Sequence, residues 1–227
     1  MPPKNSLKKY QNNSFYHIYN RGVNKTEIFK EKEDYKVFLN YLKSYLLPKE
    51  ISIQEIKKLD IDERIKATLI NDICQKNNFF NKIKIYCFVL MKNHFHFLIW
   101  QKDQRDIADF MRSLFTRYTK YFHLKYGWVG PLFQSRYKGI LIDKEDYFLH
   151  LSRYIHTNPK EILNNQLLED YPWSSYPAYL GKVNYLWLEK DLILSYFKNI
   201  KGYEFNSYQG FVEGCKDNFL NNYWEHL

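Results

Sequence analysis

Two short apolar runs rich in β-formers, Lys84 to Leu90 and Phe95 to Gln101, stand on either side of Met91-Lys92-Asn93. A polar tripeptide between two such runs is the pattern of a β-hairpin set in the interior of a sheet. The second run opens His94-Phe95-His96. Alternate residues of a strand project from one face, so the two imidazoles point together and Phe95 points into the opposite layer. Burying two imidazoles without partners is costly. An isolated His-x-His is often only a packed pair, but this one is also placed to hold an ion.

The rest of the chain supplies elements around that hairpin. Phe15-Tyr16-His17-Ile18-Tyr19 reads as a strand entering a turn at Asn20-Arg21-Gly22. Tyr35, Phe38, Leu39, Leu42 and Leu46 have the spacing of an amphipathic helix that stops before Pro48, and Ile107, Phe110, Met111, Leu114, Tyr118 and Phe122 mark a second that ends before Gly127. Residues 133 to 142 contain a further strand. Asp143 is the expected N-cap of a third helix through His150, Tyr154 and Ile155, which Asn158-Pro159 ends. The order predicts an α+β domain with a ferredoxin-like antiparallel sheet and helices on one face. Residues 1–181 are expected to form this catalytic domain, with a helical insertion at about 49–82, and residues 182–227 a C-terminal accessory segment whose aromatic tail includes Tyr208, Phe211, Phe219 and Trp224.

The third helix carries the second constellation. His150, Tyr154 and Asn158 follow one another at i, i+4 spacing on a single helical face. Imidazole, phenol and carboxamide make a poor core face and a reasonable active-site face. Two histidines leave most of an ion's coordination open, which suits Mg²⁺ or Mn²⁺ sharing substrate phosphate oxygens, with Asn158 as third protein ligand. A structural zinc site would call for four Cys or His ligands at close spacing, and these are lacking. Tyr154 would then attack phosphorus, displacing a 3′-hydroxyl and leaving a 5′-phosphotyrosine. His150 stands as an outer-shell group or proton relay, with plain packing an equal alternative.

The net charge of +9 favours a polyanionic partner such as nucleic acid or an anionic membrane surface. Apolar runs are too short for a spanning helix, and Met1-Pro2-Pro3-Lys4-Asn5 is not followed by the apolar segment of a secretory signal. A cytoplasmic, nucleoid-associated location is expected. Cys74, Cys87 and Cys215 form no metal or disulfide motif and read as packing residues. Arg21, and Arg136-Tyr137-Lys138, combine phosphate-seeking charge with an aromatic on which a base can stack. Arg117, Lys120 and Lys125 extend this along one helix or are simply solvated charge. Trp173 reads as a packing anchor. Ser174 and Ser175 have no evident nearby base, which argues against a serine hydrolase.

Five blocks carry a resemblance: Tyr16-His17-Ile18-Tyr19-Asn20-Arg21-Gly22, Met91-Lys92-Asn93-His94-Phe95-His96-Phe97-Leu98, Leu132-Phe133-Gln134-Ser135-Arg136-Tyr137, Arg153-Tyr154-Ile155-His156-Thr157-Asn158-Pro159 and Tyr171-Pro172-Trp173-Ser174-Ser175-Tyr176. Together the chain resembles the REP-associated tyrosine transposases, a branch of the IS200-like, single-tyrosine His-hydrophobe-His superfamily. The resemblance implies cleavage and rejoining of single-stranded DNA near REP-like hairpins, with His94 and His96 as metal ligands and Tyr154 as nucleophile. The insertion is longer than the resemblance leads one to expect. Homodimer and monomer both stay open. The competing readings are a domesticated, non-catalytic hairpin-DNA-binding protein and a metal-dependent nuclease that uses water.

Overall fold

The computed structural model describes residues 10–164, 166–198 and 207–214. Phe219, Trp224 and Cys215 lie outside them. Four strands form one sheet: β1 (Ser14–Arg21), β2 (Ile83–Met91), β3 (His94–Gln101) and β4 (Lys138–Ile142). The order is β2-β3-β1-β4 and every pair is antiparallel. With α1 (Lys32–Leu46) between β1 and β2 and α4 (Asp106–Tyr126) between β3 and β4, this is the ferredoxin-like arrangement that the element order predicts.

Side chains divide between the faces by strand alternation. Tyr16, Ile18, Phe95, Phe97 and Ile99 join α1 and α4 in one core. Val89, Met91 and Leu98 join α5 (Glu145–Thr157) in another. The α5 helix therefore departs from the expectation of helices on one face: α1 and α4 share a face, and α5 covers the other. The reason lies in β2 and β3, which are apolar on both sides and need cover on both. A register shift between Ile85 and Cys87 sends Ile83 and Ile85 to one core and Cys87 and Val89 to the other.

The hairpin is not wholly interior, because β2 lies at the sheet's edge. Its outer rim is closed by irregular backbone. The Leu90 amide donates to Trp173 O at 2.8 Å, Ser175 donates to Phe88 O at 2.9 Å, and Glu189 to Ile85 O at 2.9 Å. Such cover removes an open strand edge that would otherwise pair with another chain. The Trp173 indole stacks on Tyr35 at 4.5 Å, an anchor rather than a platform for bases.

The insertion forms two helices, α2 (Lys49–Lys57) and α3 (Glu63–Gln75), packed mainly on each other. The α5 N-cap is Lys144, not Asp143, and its side chain makes no cap bond. After α5 come the short helices α6 (Tyr176–Tyr179), α7 (Asp191–Ser195) and α8 (Tyr208–Glu213). Tyr208 and Phe211 are buried against α5. Among the described residues no helix is long and apolar enough to cross a membrane.

Candidate active site

Strand pairing builds one end of the site. Arg21 pairs with His94 and Tyr19 with His96 across the central strands β1 and β3, so His17, Tyr19, His94 and His96 share a face. The loop before β4 is fastened to the same end. Gln134 donates to Arg21 O at 2.9 Å, and the buried Asn20 side chain donates to Ser135 O at 2.9 Å and Arg136 O at 3.0 Å. Gly22 is required for this junction: a Cβ there would stand 2.0 Å from the Thr26 carbonyl oxygen. The result is a cavity of about 180 Å³ walled by His94, His96 and Tyr154, with Arg21 and Lys138 as its cations. Lys138 Nζ also lies 5.6 Å from the centre of the Tyr19 ring.

The α5 helix crosses above β3 and delivers the rest. His94 Nε2 is 3.1 Å from Asn158 Oδ1, and the Tyr154 ring meets His96 edge-on at 5.3 Å. His94 Nδ1 is 2.7 Å from Asn93 Oδ1, and His96 Nδ1 is 2.9 Å from His17 Nε2. Each imidazole is thus held by its Nδ1, which orients Nε2 as a metal ligand's outer shell does.

Proton counting tests whether a cation fits. Both neighbours of His94 are amide oxygens, and a neutral imidazole has one N–H to offer. Burial pushes the His94 pKa down, disfavouring the doubly protonated form. With the proton on Nδ1, the Nε2 lone pair faces the Asn158 oxygen, two acceptors that a cation would satisfy together. Neighbouring donors on an octahedral ion with bonds of roughly 2.1 Å lie about 3 Å apart, as these two do. Two imidazoles and a carboxamide oxygen are a donor set that Mg²⁺ or Mn²⁺ accepts. Burial, followed by the neighbouring Tyr19, raises the Tyr154 phenol to about 12, while Asn158 and Arg21 pull it back.

The sequence-predicted residues are placed unequally. His94, His96, Tyr154 and Asn158 come together, with Arg21 and Lys138 at the cavity. His150 does not line it: its Nδ1 accepts from Arg153 at 2.8 Å and its ring lies against Phe211. Arg117 and Lys120 are on α4, beneath the opposite face, and the Arg117 guanidinium stacks on Tyr41 at 3.9 Å. Lys125 is committed to Asp34 and Glu31. Arg136 is exposed and does not line this cavity: its side chain lies with Tyr10, Arg112 and Tyr137 at a separate hollow against α4. Tyr137 is buried, its hydroxyl on that of Tyr10 and its ring edge toward Phe115, which leaves it a packing residue. Sequence reasoning passed over His17, Tyr19 and Asn20. Their signal was the alternation within β1, which sets His17 and Tyr19 on the face that His94 and His96 occupy.

No curated protein matches the chain. A solved structure of a REP-associated tyrosine transposase bound to a REP hairpin aligns with a TM-score of 0.46 at 13% identity, covering 81% of this chain and 96% of that one. The family model described as "Transposase IS200 like" matches residues 57–158, the stretch that contains His94, His96, Tyr154 and Asn158. Over that stretch the chain is similar to the IS200-like transposases.

Proposed function

We propose that the protein is a metal-dependent single-stranded DNA transposase that cleaves and rejoins strands beside a hairpin through a covalent bond to Tyr154. The observation that carries this reading is the convergence of Asn158 on His94 at 3.1 Å with the Tyr154 ring against His96, since it brings both halves of the chemistry to one cavity.

His94, His96 and Asn158 would hold the ion, which when bound would polarise the scissile phosphodiester and offset its charge. Arg21 and Lys138 draw the strand's phosphates to the cavity rim. Tyr154 loses its phenolic proton, and its oxygen bonds to phosphorus as the bond to the 3′-oxygen breaks. The 3′-oxygen takes up a proton, and the 5′ side stays on the tyrosine. Because the buried phenol sits at about 12, cationic neighbours are needed to favour the phenolate. A second DNA 3′-hydroxyl reverses the step and rejoins the strand. Preference for a REP-like hairpin follows the sequence resemblance to that branch.

Incubation with Mn²⁺ and a labelled single-stranded hairpin tests the proposal on a denaturing gel. A protein-linked band, absent in Tyr154→Phe, is expected. An adduct that survives in Tyr154→Phe defeats the nucleophile assignment, cleavage without adduct identifies a water-using nuclease, and binding without cleavage identifies a non-catalytic hairpin binder.

A further inference from the structure

His156 lies midway between Tyr154 and Asn158 on the nucleophile helix. Two residues of an α-helix turn through about 200°, so its ring leaves the side away from that pair. It is fully buried there, and both ring nitrogens are bonded. Nε2 is 2.7 Å from Ser175 Oγ and Nδ1 is 2.7 Å from the Tyr208 hydroxyl. Ser175 Oγ accepts from the Phe88 amide of β2 at 2.8 Å. Tyr208 reaches Ser152 Oγ at 3.1 Å, and Ser152 donates to Leu149 O at 2.7 Å.

The protons of this chain can be assigned by counting. Ser152 gives its only proton to Leu149, so it accepts from Tyr208. Tyr208 has then spent its own, and its oxygen accepts from His156 Nδ1–H. The neutral ring presents a lone pair at Nε2, which takes the Ser175 O–H. Burial lowers the His156 pKa to about 3, consistent with that neutral ring. The Phe88 carbonyl loses nothing, being served by the Ser175 amide at 2.9 Å. Every donor is used once, and the chain runs unbroken from β2 through α5 to α8. Removing one member leaves a buried partner unsatisfied.

We infer that His156 is a positioning residue for the nucleophile helix, and that α8 belongs to the working site through Tyr208. Bonded on one side to the segment closing β2 and on the other to α8, His156 fixes the rotation of α5 about its axis. That rotation decides whether Tyr154 and Asn158 face His94 and His96. The Arg153 guanidinium, 4.7 Å from the Phe211 ring centre, holds α8 to the same helix. The inference rests on Tyr154 as the nucleophile.

The full-length protein carrying Tyr208→Phe keeps the ring and loses only the hydroxyl; His156→Gln is the second variant. Three quantities are measured: the single-turnover rate of adduct formation at saturating Mn²⁺ and hairpin DNA, the hairpin affinity, and amide hydrogen exchange. In Tyr208→Phe the rate should fall about ten- to a hundredfold while hairpin affinity stays within about twofold, the pattern of displaced reacting groups. Exchange of α5 amides should quicken by about tenfold with β1 and β3 unchanged, a local opening. His156→Gln should show the same pattern more strongly. Wild-type rate and α5 exchange in Tyr208→Phe overturn the inference, and so does exchange that quickens equally across the sheet. If the unmodified protein forms no adduct, the nucleophile reading falls, and exchange alone decides whether His156 orients α5.

Discussion

His94 and Asn158, 64 positions apart in the chain, meet at 3.1 Å between Nε2 and Oδ1. Asn158→Ala should weaken Mn²⁺ binding by more than about tenfold, since even outer-shell partners of metal ligands are worth that much. Asn158→Asp, which keeps an oxygen and adds charge, should bind Mn²⁺ at least as tightly as the unmodified protein. Titration followed by electron paramagnetic resonance of free Mn²⁺ measures both; equal affinity in all three proteins would remove Asn158 from the ligand set.

His17 makes the 2.9 Å contact that orients His96. His17→Phe fills the space without a nitrogen and leaves His96 Nδ1 unpaired in a buried setting. Mn²⁺ affinity should drop by about tenfold, in line with the loss of an outer-shell partner. Unchanged affinity in a folded variant would reduce His17 to core packing.

The close approach of Gly22 to the Thr26 carbonyl makes a different demand. Backbone on both sides must shift to admit a methyl group, so Gly22→Ala should cost about 2–3 kcal/mol in urea unfolding. Because Arg21 precedes it, hairpin binding should weaken in the same variant. A variant as stable as the parent would show that the turn can open freely.

Asp34, fully buried at the start of α1, accepts from the Lys30 amide, Lys125 and the hydroxyls of Tyr121 and Tyr126. Burial works to raise its pKa, yet Lys125, then the two tyrosines and the Lys30 amide, outweigh it and leave it lowered. A depressed carboxyl contributes stability above its unfolded value, about 3.9, and loses it as pH falls through the lower folded value. Asp34→Asn should therefore cost on the order of 3 kcal/mol at neutral pH, the scale of a broken buried pair. The deficit should shrink below about pH 4. Urea unfolding at pH 7, 5 and 3 checks this, and a deficit independent of pH would contradict it.

Periodicity made much of this legible. Alternation exposed the shared face of His94 and His96, and i, i+4 spacing put Tyr154 and Asn158 on one side of a helix; only their meeting required the fold. What escaped has physical reasons. The cover over β2 pairs the Trp173 carbonyl and the Ser175 amide with strand backbone, contacts that leave no mark in side-chain pattern, and adds the Ser175 hydroxyl on the Phe88 amide. The base near Ser175, absent from its sequence neighbourhood, is the buried His156, so the pair is a buried structural contact. Tyr137 stands among basic residues like a stacking platform, but its neighbours in space are Tyr10 and Phe115.

The insertion rejoins the sheet at Ile83, paired with Gln101 at one end of β3, while His94 begins the other. Eight residues of extended chain separate those ends by roughly 25 Å. Length gained or lost between α1 and β2 therefore leaves His94 and the side chains around it where they are. On this scaffold the helical pair is a region where a lineage can add contacts with new partners without renegotiating its chemistry.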